Sequence, residues 1–445
     1  MVLSSSARCL AFVATLAAGA AAQAADEPTQ TTPAPGSEET SARRLSIQPG
    51  LQLEAAQFLQ DNSWFGQSQA NIGADSAGWT EVVATPSVDW RYALANGSSI
   101  YGRTSAIGAF TNGVDAAGSN VDSPRVTDVE LEDSYLGWRS GDVLKDSLGE
   151  NALDVSVGRR KYQVGSGFLF WKEANNGASR AANGIAPRKA ARFAATGTLS
   201  THGWKVDAVY LKFNDRPSTH TRLTGADFSY TSPAWGQIGW GVYKVLGSNK
   251  KTRSGMEVYN LRADTHPIPQ FRGLRLAIEY VREENGGLLS AYAGFAGIGY
   301  TFDAPWSPYI EYQRALFSGD KPTTKISEAY DPFSLGISNW GSALIGKYVR
   351  SDTNMRVDSA RIIVNPARSL QLKLEGYKMS LDQPPVGSPD RHYADELDLM
   401  ASWGVTRRLT LSLTGAVAQP EAAAQLQTKG DKLWSYLMLD AVTKF

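Results

Sequence analysis

Cysteine is all but missing: the 445 residues contain one, Cys9, and it falls in a segment that export would remove. Without a thiol in the mature chain, a disulfide framework, a cysteine-zinc site and a cysteine nucleophile are excluded. Histidine is scarce too, at four residues. Past the first two dozen positions no run approaches the ~18 consecutive apolar residues of a membrane helix. Neither charge is in excess. Lys and Arg number 44 against 44 Asp and Glu, and loss of Arg8 leaves 43 against 44, a balance that gives no reason to expect nucleic acid as a partner. No Gly-rich phosphate loop, His-x-x-x-His pair or calcium-loop pattern stands out, so no cofactor and no metal is expected.

What is present begins with an export signal over residues 1–24: Arg8 in a basic n-region, an apolar run from Leu10 to Ala22, and Ala22-Gln23-Ala24 as a cleavage site. Residues 25–45, rich in Pro, Thr, Ser and Glu, read as a disordered periplasmic leader with nothing to bury. From 46 to 445 the chain shows two-residue alternation, plentiful aromatics and 42 glycines, with little helical period. The class is all-β, a single large domain.

The alternating segments come in pairs joined by tight turns. "EVVATPSVDWRYA" and "SIYGRTSAIGAF" meet at Asn96-Gly97, a strong hairpin signal, and others meet at Ser200–Gly203, Ser232–Gly236 and Asp303–Ser307. The opposite ends are joined by long polar stretches: Gln60–Thr80, Thr111–Thr127, Val164–Lys189, Phe317–Asn354 and Leu381–Tyr393. Segregation of short and long connections predicts a transmembrane antiparallel barrel of the outer membrane, with short periplasmic turns and long outer loops. The strands expected are 51–59, 81–93, 98–110, 128–139, 152–163, 190–199, 204–213, 222–231, 236–246, 256–265, 272–283, 290–302, 307–316, 355–365, 369–379, 395–405, 409–418 and 433–445, about eighteen in all. Gly341–Val349 is assigned to the seventh outer loop. In the last strand Leu437, Leu439 and Ala441 are expected to face lipid, Trp434 and Tyr436 to lie near the interface, and Phe445 to anchor the periplasmic rim. A terminal aromatic of this kind resembles the signal read by the barrel-assembly machinery, a partner beside outer-membrane lipid and lipopolysaccharide.

Parity also names the lumen. Apolar residues two apart face lipid, and their neighbours face inward. Arg103, Arg192, Arg275, Glu279, Arg361, Lys373 and Glu375 face in by this rule, with Arg91, Arg139, Arg160 and Arg262 as further cations and Asp89, Asp133, Asp154, Asp207, Asp227, Glu311 and Asp398 as their acidic counterparts. For one arginine the plainer reading is wall bracing by ion pairs. For the whole, a barrel of about eighteen strands encloses a lumen too wide for side chains to fill, which points to a charged channel. Arg103, Arg192 and Arg361 are candidates for one electropositive constriction. Arg159 shares the parity of Val155 and Val157, so it either reaches the rim or is redirected by a bulge at Gly158. The loop "WKEANNGASRAANGIAPRKA" has two open readings, a constriction folded into the mouth or a mobile outer loop.

Three stretches are similar to the alginate-export family of outer-membrane barrels: "LEDSYLGWRSG" followed by "LDVSVGRRKYQVGSGFLF", "YIEYQRALFSGD" followed by "EAYDPFSLGISNWG", and "VDSARIIVNPARSLQLKLEGYKMSLD". The resemblance implies an eighteen-stranded barrel with an arginine-rich constriction that passes an anionic polysaccharide or acidic small solutes, with periplasmic export components as partners. The chain departs from the pattern after Trp340, where "GSALIGKYV" replaces a more aromatic and acidic stretch. The alternative is a general or uptake porin for small solutes. An enzyme is not expected: His202 and His266 fall in periplasmic turns, and His220 and His392 lie in separate outer loops near Asp215 and Asp390, where a loop histidine is usually a solvated side chain. A non-conducting adhesin would need a plugged lumen, and the leader is too short and polar to fill one.

Overall fold

The computed structural model describes residues 44–333 and 342–445. The expected signal peptide, most of the leader and Gly341 lie outside the described residues. Eighteen strands form one antiparallel sheet: β1 Leu45–Asp61, β2 Gly78–Ala93, β3 Ser99–Asn112, β4 Arg125–Arg139, β5 Leu153–Arg159, β6 Phe193–Thr201, β7 Trp204–Lys212, β8 Arg222–Ser232, β9 Gly236–Gly247, β10 Glu257–Thr265, β11 Leu274–Asn285, β12 Leu289–Thr301, β13 Tyr309–Phe317, β14 Met355–Ala367, β15 Leu370–Ser380, β16 His392–Gly404, β17 Leu409–Pro420 and β18 Trp434–Lys444. Each pairs with its neighbours in sequence, and β1 pairs with both β2 and β18, which closes the barrel. Closure leaves no strand edge with unpaired amides, as a hydrocarbon environment demands.

Alternation decides which residues meet lipid. On β11 Ile278 and Tyr280 are exposed outward while Ala277, Glu279 and Val281 are buried inward, and on β18 Leu437 is exposed while Trp434 and Tyr436 are buried. The outward apolar belt on a closed barrel is the architecture of an outer-membrane protein. Two expectations for β18 separate here. Leu437, Leu439 and Ala441 do share the outward face, but Trp434 and Tyr436 are lumen residues rather than interface residues. Trp434 packs edge-on against Phe65 at 5.9 Å and donates to Gln60 at 3.0 Å, and Tyr436 meets Tyr348. Phe445 is held by backbone bonds in both directions with Leu51, at 2.9 and 3.3 Å.

Loop length segregates by side less strictly than the sequence reading has it. Only residues 286–288 join β11 to β12 on the outer side, and residues 140–152, with a short 3-10 turn at Gly141–Leu144, join β4 to β5 on the other. Strand β5 is also shorter than expected, because the chain leaves the wall after Arg159 and enters the lumen.

Because the described residues contain no cysteine, single cysteines introduced there report orientation cleanly. In intact cells Val386→Cys, at a loop position that is 96% exposed, is expected to label with an impermeant maleimide, and Ala234→Cys in the β8–β9 turn is not. Labelling only at Ala234 would invert the topology.

Candidate functional site

Ion pairs between adjacent or next-but-one strands take up most of the expected lumen arginines. Arg103 bonds Asp89 at 2.5 Å and Asp133 at 3.3 Å; Arg139 bonds Asp154 at 2.7 Å; Arg262 forks onto Asp227 at 2.6 and 2.7 Å. A longer chain of alternating charge draws on five strands: Arg275 contacts Asp264 at 2.7 Å and Glu311 at 3.1 Å, Arg361 contacts Glu311 at 3.3 Å and Glu375 at 3.1 Å, and Lys373 closes on Glu375. Arg160 donates to Ser156 and lies 4.9 Å over the Tyr135 ring. Two expected members stand apart. Arg91, at the exposed end of β2, and Arg192, one residue before β6, make no ion pair among the described residues. The supposed convergence of Arg103, Arg192 and Arg361 is therefore not found: the first and last are neutralised in separate wall networks, and the middle one is exposed at the outer end of its strand.

Gly158 adopts φ +136°, which favours glycine, yet the β4–β5 register runs on unshifted and pairs Arg159 with Ser134. Of the two readings of Arg159, the bulge at Gly158 is not found; a bulge lies instead in β4 at Glu132 and Asp133, two residues opposite the single Ser105 of β3. Its effect is to turn both Glu132 and Asp133 inward. Asp133 accepts from Ser105 at 2.7 Å, and Glu132 accepts the backbone amides of Lys189 and Ala190 at 2.6 and 2.7 Å.

Those last two bonds belong to the third outer loop, residues 160–192, which folds into the lumen. The constriction reading of this loop holds in its geometry. Its first half turns tightly at Gly165 and Gly167, both at positive φ, and sends Phe168 and Phe170 against the far wall, 5.3 Å from Phe295, 5.5 Å from Phe317 and 5.0 Å from Tyr243. Its second half is pinned by wall carboxylates. Glu81 accepts the amides of Gly184 and Ile185 at 2.9 and 2.7 Å, and buried Arg188 bonds Asp128 at 2.6 Å and Glu130 at 2.9 Å. A loop of small residues can present its amides this closely because little side chain stands in the way.

The seventh loop enters from the opposite side. Residues 342–349 belong to the β13–β14 connection as expected, but they turn inward to a single π-helical turn, Ile345–Val349. Glu396 accepts from the Ser342 hydroxyl at 3.0 Å and from the amides of Leu344 and Ile345 at 2.8 and 2.9 Å; Asp398 accepts the Ala343 amide at 2.8 Å. Tyr348 then meets Trp79 edge-on at 5.8 Å. Asp398 is thus a loop anchor, as are Glu81, Glu132 and Glu396.

Between the two loops and the wall of β15–β18 lies a cavity of about 260 Å³, bordered by Trp171 and Lys172 of the third loop, Lys347 of the seventh and Lys373 of β15. Lys189 lies 4.8 Å over the Trp171 ring. Among the described residues, neither Lys172 nor Lys347 has a carboxylate within ion-pair distance. Lys172 keeps part of its surface open to the lumen, and enclosure by the loops, with Lys189 and Lys347 adding repulsion, pushes its ammonium down to about 8. Burial lowers Lys347 as well, against the pull of Glu81, Asp440 and Glu54. Sequence reasoning singled out none of these three loop lysines. The only signal was their placement in glycine- and alanine-rich text, "WKEANNG", "APRKA" and "SALIGKYV", where small neighbours permit entry into the lumen.

The histidines form no nucleophile arrangement. His392 meets Asp395 at 2.8 Å and Glu421 at 3.8 Å at the outer rim, Asp390 takes only the His392 amide, and Asp215 bonds Thr219 rather than His220.

Fold and lumen together define the class: an eighteen-stranded membrane barrel narrowed by two infolded loops. Solved structures with this fold include OpdQ of Pseudomonas aeruginosa, at 12% identity over 90% of this chain and 98% of that one with a TM-score of 0.56. The BenF-like porin of Pseudomonas fluorescens Pf-5 follows at 12%, 90%, 98% and 0.55, and the outer membrane protein opdK of Pseudomonas aeruginosa at 12%, 90%, 98% and 0.54. No family model and no curated protein matches the chain. The alginate-export resemblance is corrected by these neighbours, among them a BenF-like porin and none of them an alginate exporter. Its motifs explain the error: "LEDSYLGWR", "YIEYQRALF" and the last quoted pair are wall strands β4, β13, β14 and β15, whose alternation and cross-strand charges suit any barrel of this size.

Proposed function

We propose that the protein is a small-solute channel whose path runs between the third and seventh loops and favours small anions. The observation that carries this reading is the cavity bordered by Lys172 and Lys347, whose two lining carboxylates already have partners, Glu375 in Lys373 and Arg361, and Asp398 in the Ala343 amide. A passing carboxylate would exchange water for ammonium contacts in a narrow, weakly screened space, which lowers its barrier relative to a cation. A 260 Å³ gap suits single small solutes rather than a hydrated polymer strand. Two of the neighbours with this fold, a BenF-like porin and an outer membrane protein, agree with this reading.

Liposome swelling tests it. Wild-type protein is expected to admit small carboxylates faster than a neutral sugar of similar size. The double variant Lys172→Gln/Lys347→Gln should lower that ratio severalfold while leaving sugar flux unchanged. An unaltered ratio would remove the loop lysines from the selectivity.

A further inference from the structure

On the outside of the barrel the wall is hollowed between β3 and β8. β6 and β7 turn Ala195, Gly197 and Ala208 outward between bulkier neighbours such as Val157 and Tyr210, and the missing side-chain volume leaves a groove of about 700 Å³ open to the lipid. At the outer end of this groove the strands finish on cations. The register sets Phe193 opposite Lys212 and Lys212 opposite Arg222, and Arg159 shares the outward face of Val157 on β5. The Lys212 ammonium lies over two outward rings, 5.5 Å from the centre of Phe193 and 5.9 Å from that of Tyr210.

None of Arg159, Lys212 and Arg222 forms an ion pair among the described residues. Elsewhere on the same outer face several cations carry their own counter-charge: Lys244 with Glu257 at 2.8 Å, Arg282 with Glu284 at 3.0 Å and Arg314 with Asp358 at 3.4 Å, while Lys378 of β15 makes no ion pair among the described residues. Above the groove three such cations stand on strands that lie close together. A cation row at headgroup level draws anionic lipid, and guanidinium and ammonium donors hold phosphate by charge-assisted bonds. A hollow in the apolar wall directly below forfeits dispersion contacts unless a chain fills it.

We infer that groove and row form one binding site for a phosphorylated, acylated lipid of the outer leaflet, with an acyl chain against Ala195, Gly197 and Ala208 and a phosphate against Lys212, Arg222 and Arg159. The site is separate from the lumen and independent of the transport reading.

Native mass spectrometry of the mature protein in dodecyl maltoside tests it, with bisphosphorylated lipid A and its dephosphorylated counterpart as probes. The wild type is expected to retain the phosphorylated lipid at concentrations at least tenfold lower than the other. Lys212→Gln/Arg222→Gln should lose that preference, and Lys244→Gln should keep it. Ala208→Trp fills the groove without changing charge and should weaken retention of both lipids. Heat-modifiable migration confirms that each variant has assembled. Equal retention of the two lipids by the wild type, or an undiminished preference in Lys212→Gln/Arg222→Gln, would overturn the inference. So would an Ala208→Trp variant that only dissociates an oligomer, since the groove would then be a contact between copies.

Discussion

Replacing Glu396 and Asp398 together with alanine is expected to raise the single-channel conductance severalfold. These two carboxylates on β16 are what the seventh loop hangs from inside the lumen: between them they accept the Ser342 hydroxyl and the amides of Ala343, Leu344 and Ile345. Leu344 and Ile345 are fully buried, so their amides have no ready substitute once the acceptors are gone. Each orphaned buried donor costs on the order of 1–3 kcal/mol. Several lost at once exceed what the apolar contacts of one short turn can retain, and the segment moves out toward water. Planar-bilayer recording checks the outcome. A conductance equal to that of the wild type would mean that the path avoids the seventh loop, or that its apolar side chains alone keep it in place.

The second large effect concerns assembly. Leu437→Arg with Leu439→Arg is expected to abolish the folded species in the outer membrane, because both side chains face lipid and each charge near the bilayer midplane costs roughly 2–4 kcal/mol. The strand they occupy has no freedom to avoid this. β18 is hydrogen-bonded on one side to β17 and on the other to β1, with Leu437 opposite Leu59 and Leu439 opposite Gln57, so a failure there opens the barrel. Tyr436 makes the informative control. It points into the lumen, so Tyr436→Phe removes only its contact with Tyr348 and should assemble normally. Normal amounts of heat-modifiable barrel in the double-arginine variant would contradict the assigned lipid face.

The wall was readable in the sequence because its physics is local. A strand between lipid and water must alternate, and a turn such as Asn96-Gly97 announces where two strands meet, so all eighteen strands were placed and β9, β14 and β17 nearly to their ends. The cross-strand ion pairs were half readable: parity put Arg103 and Asp89 on one face, but only the register shows that they touch. What escaped is non-local. The β4 bulge at Glu132 and Asp133, opposite Ser105, shifts parity along β4, and with it hid the inward row Asp128, Glu130 and Glu132 that receives the third loop. Nor does a carboxylate's sequence neighbourhood reveal that its partner is a backbone amide a hundred residues away, as with Glu81 and Gly184. Parity therefore collected the wall arginines as candidates for selectivity, whereas Lys172 and Lys347, the cations of the inter-loop cavity without an ion pair among the described residues, stand on loops that have no parity at all.

That reassignment, from wall arginines to loop lysines, is the central claim, and the reversal potential of the wild-type channel across a potassium chloride gradient tests it most directly. At pH 7 Lys172 is mostly charged, since its ammonium titrates near 8, whereas an ordinary lysine at the mouth and every arginine stay charged well beyond pH 9. The account predicts anion preference at pH 7 that falls measurably by pH 9. In Lys172→Gln it should be weaker from the outset and should change less across the same interval. Cation preference at pH 7, or an anion preference that neither pH 9 nor Lys172→Gln reduces, would contradict it.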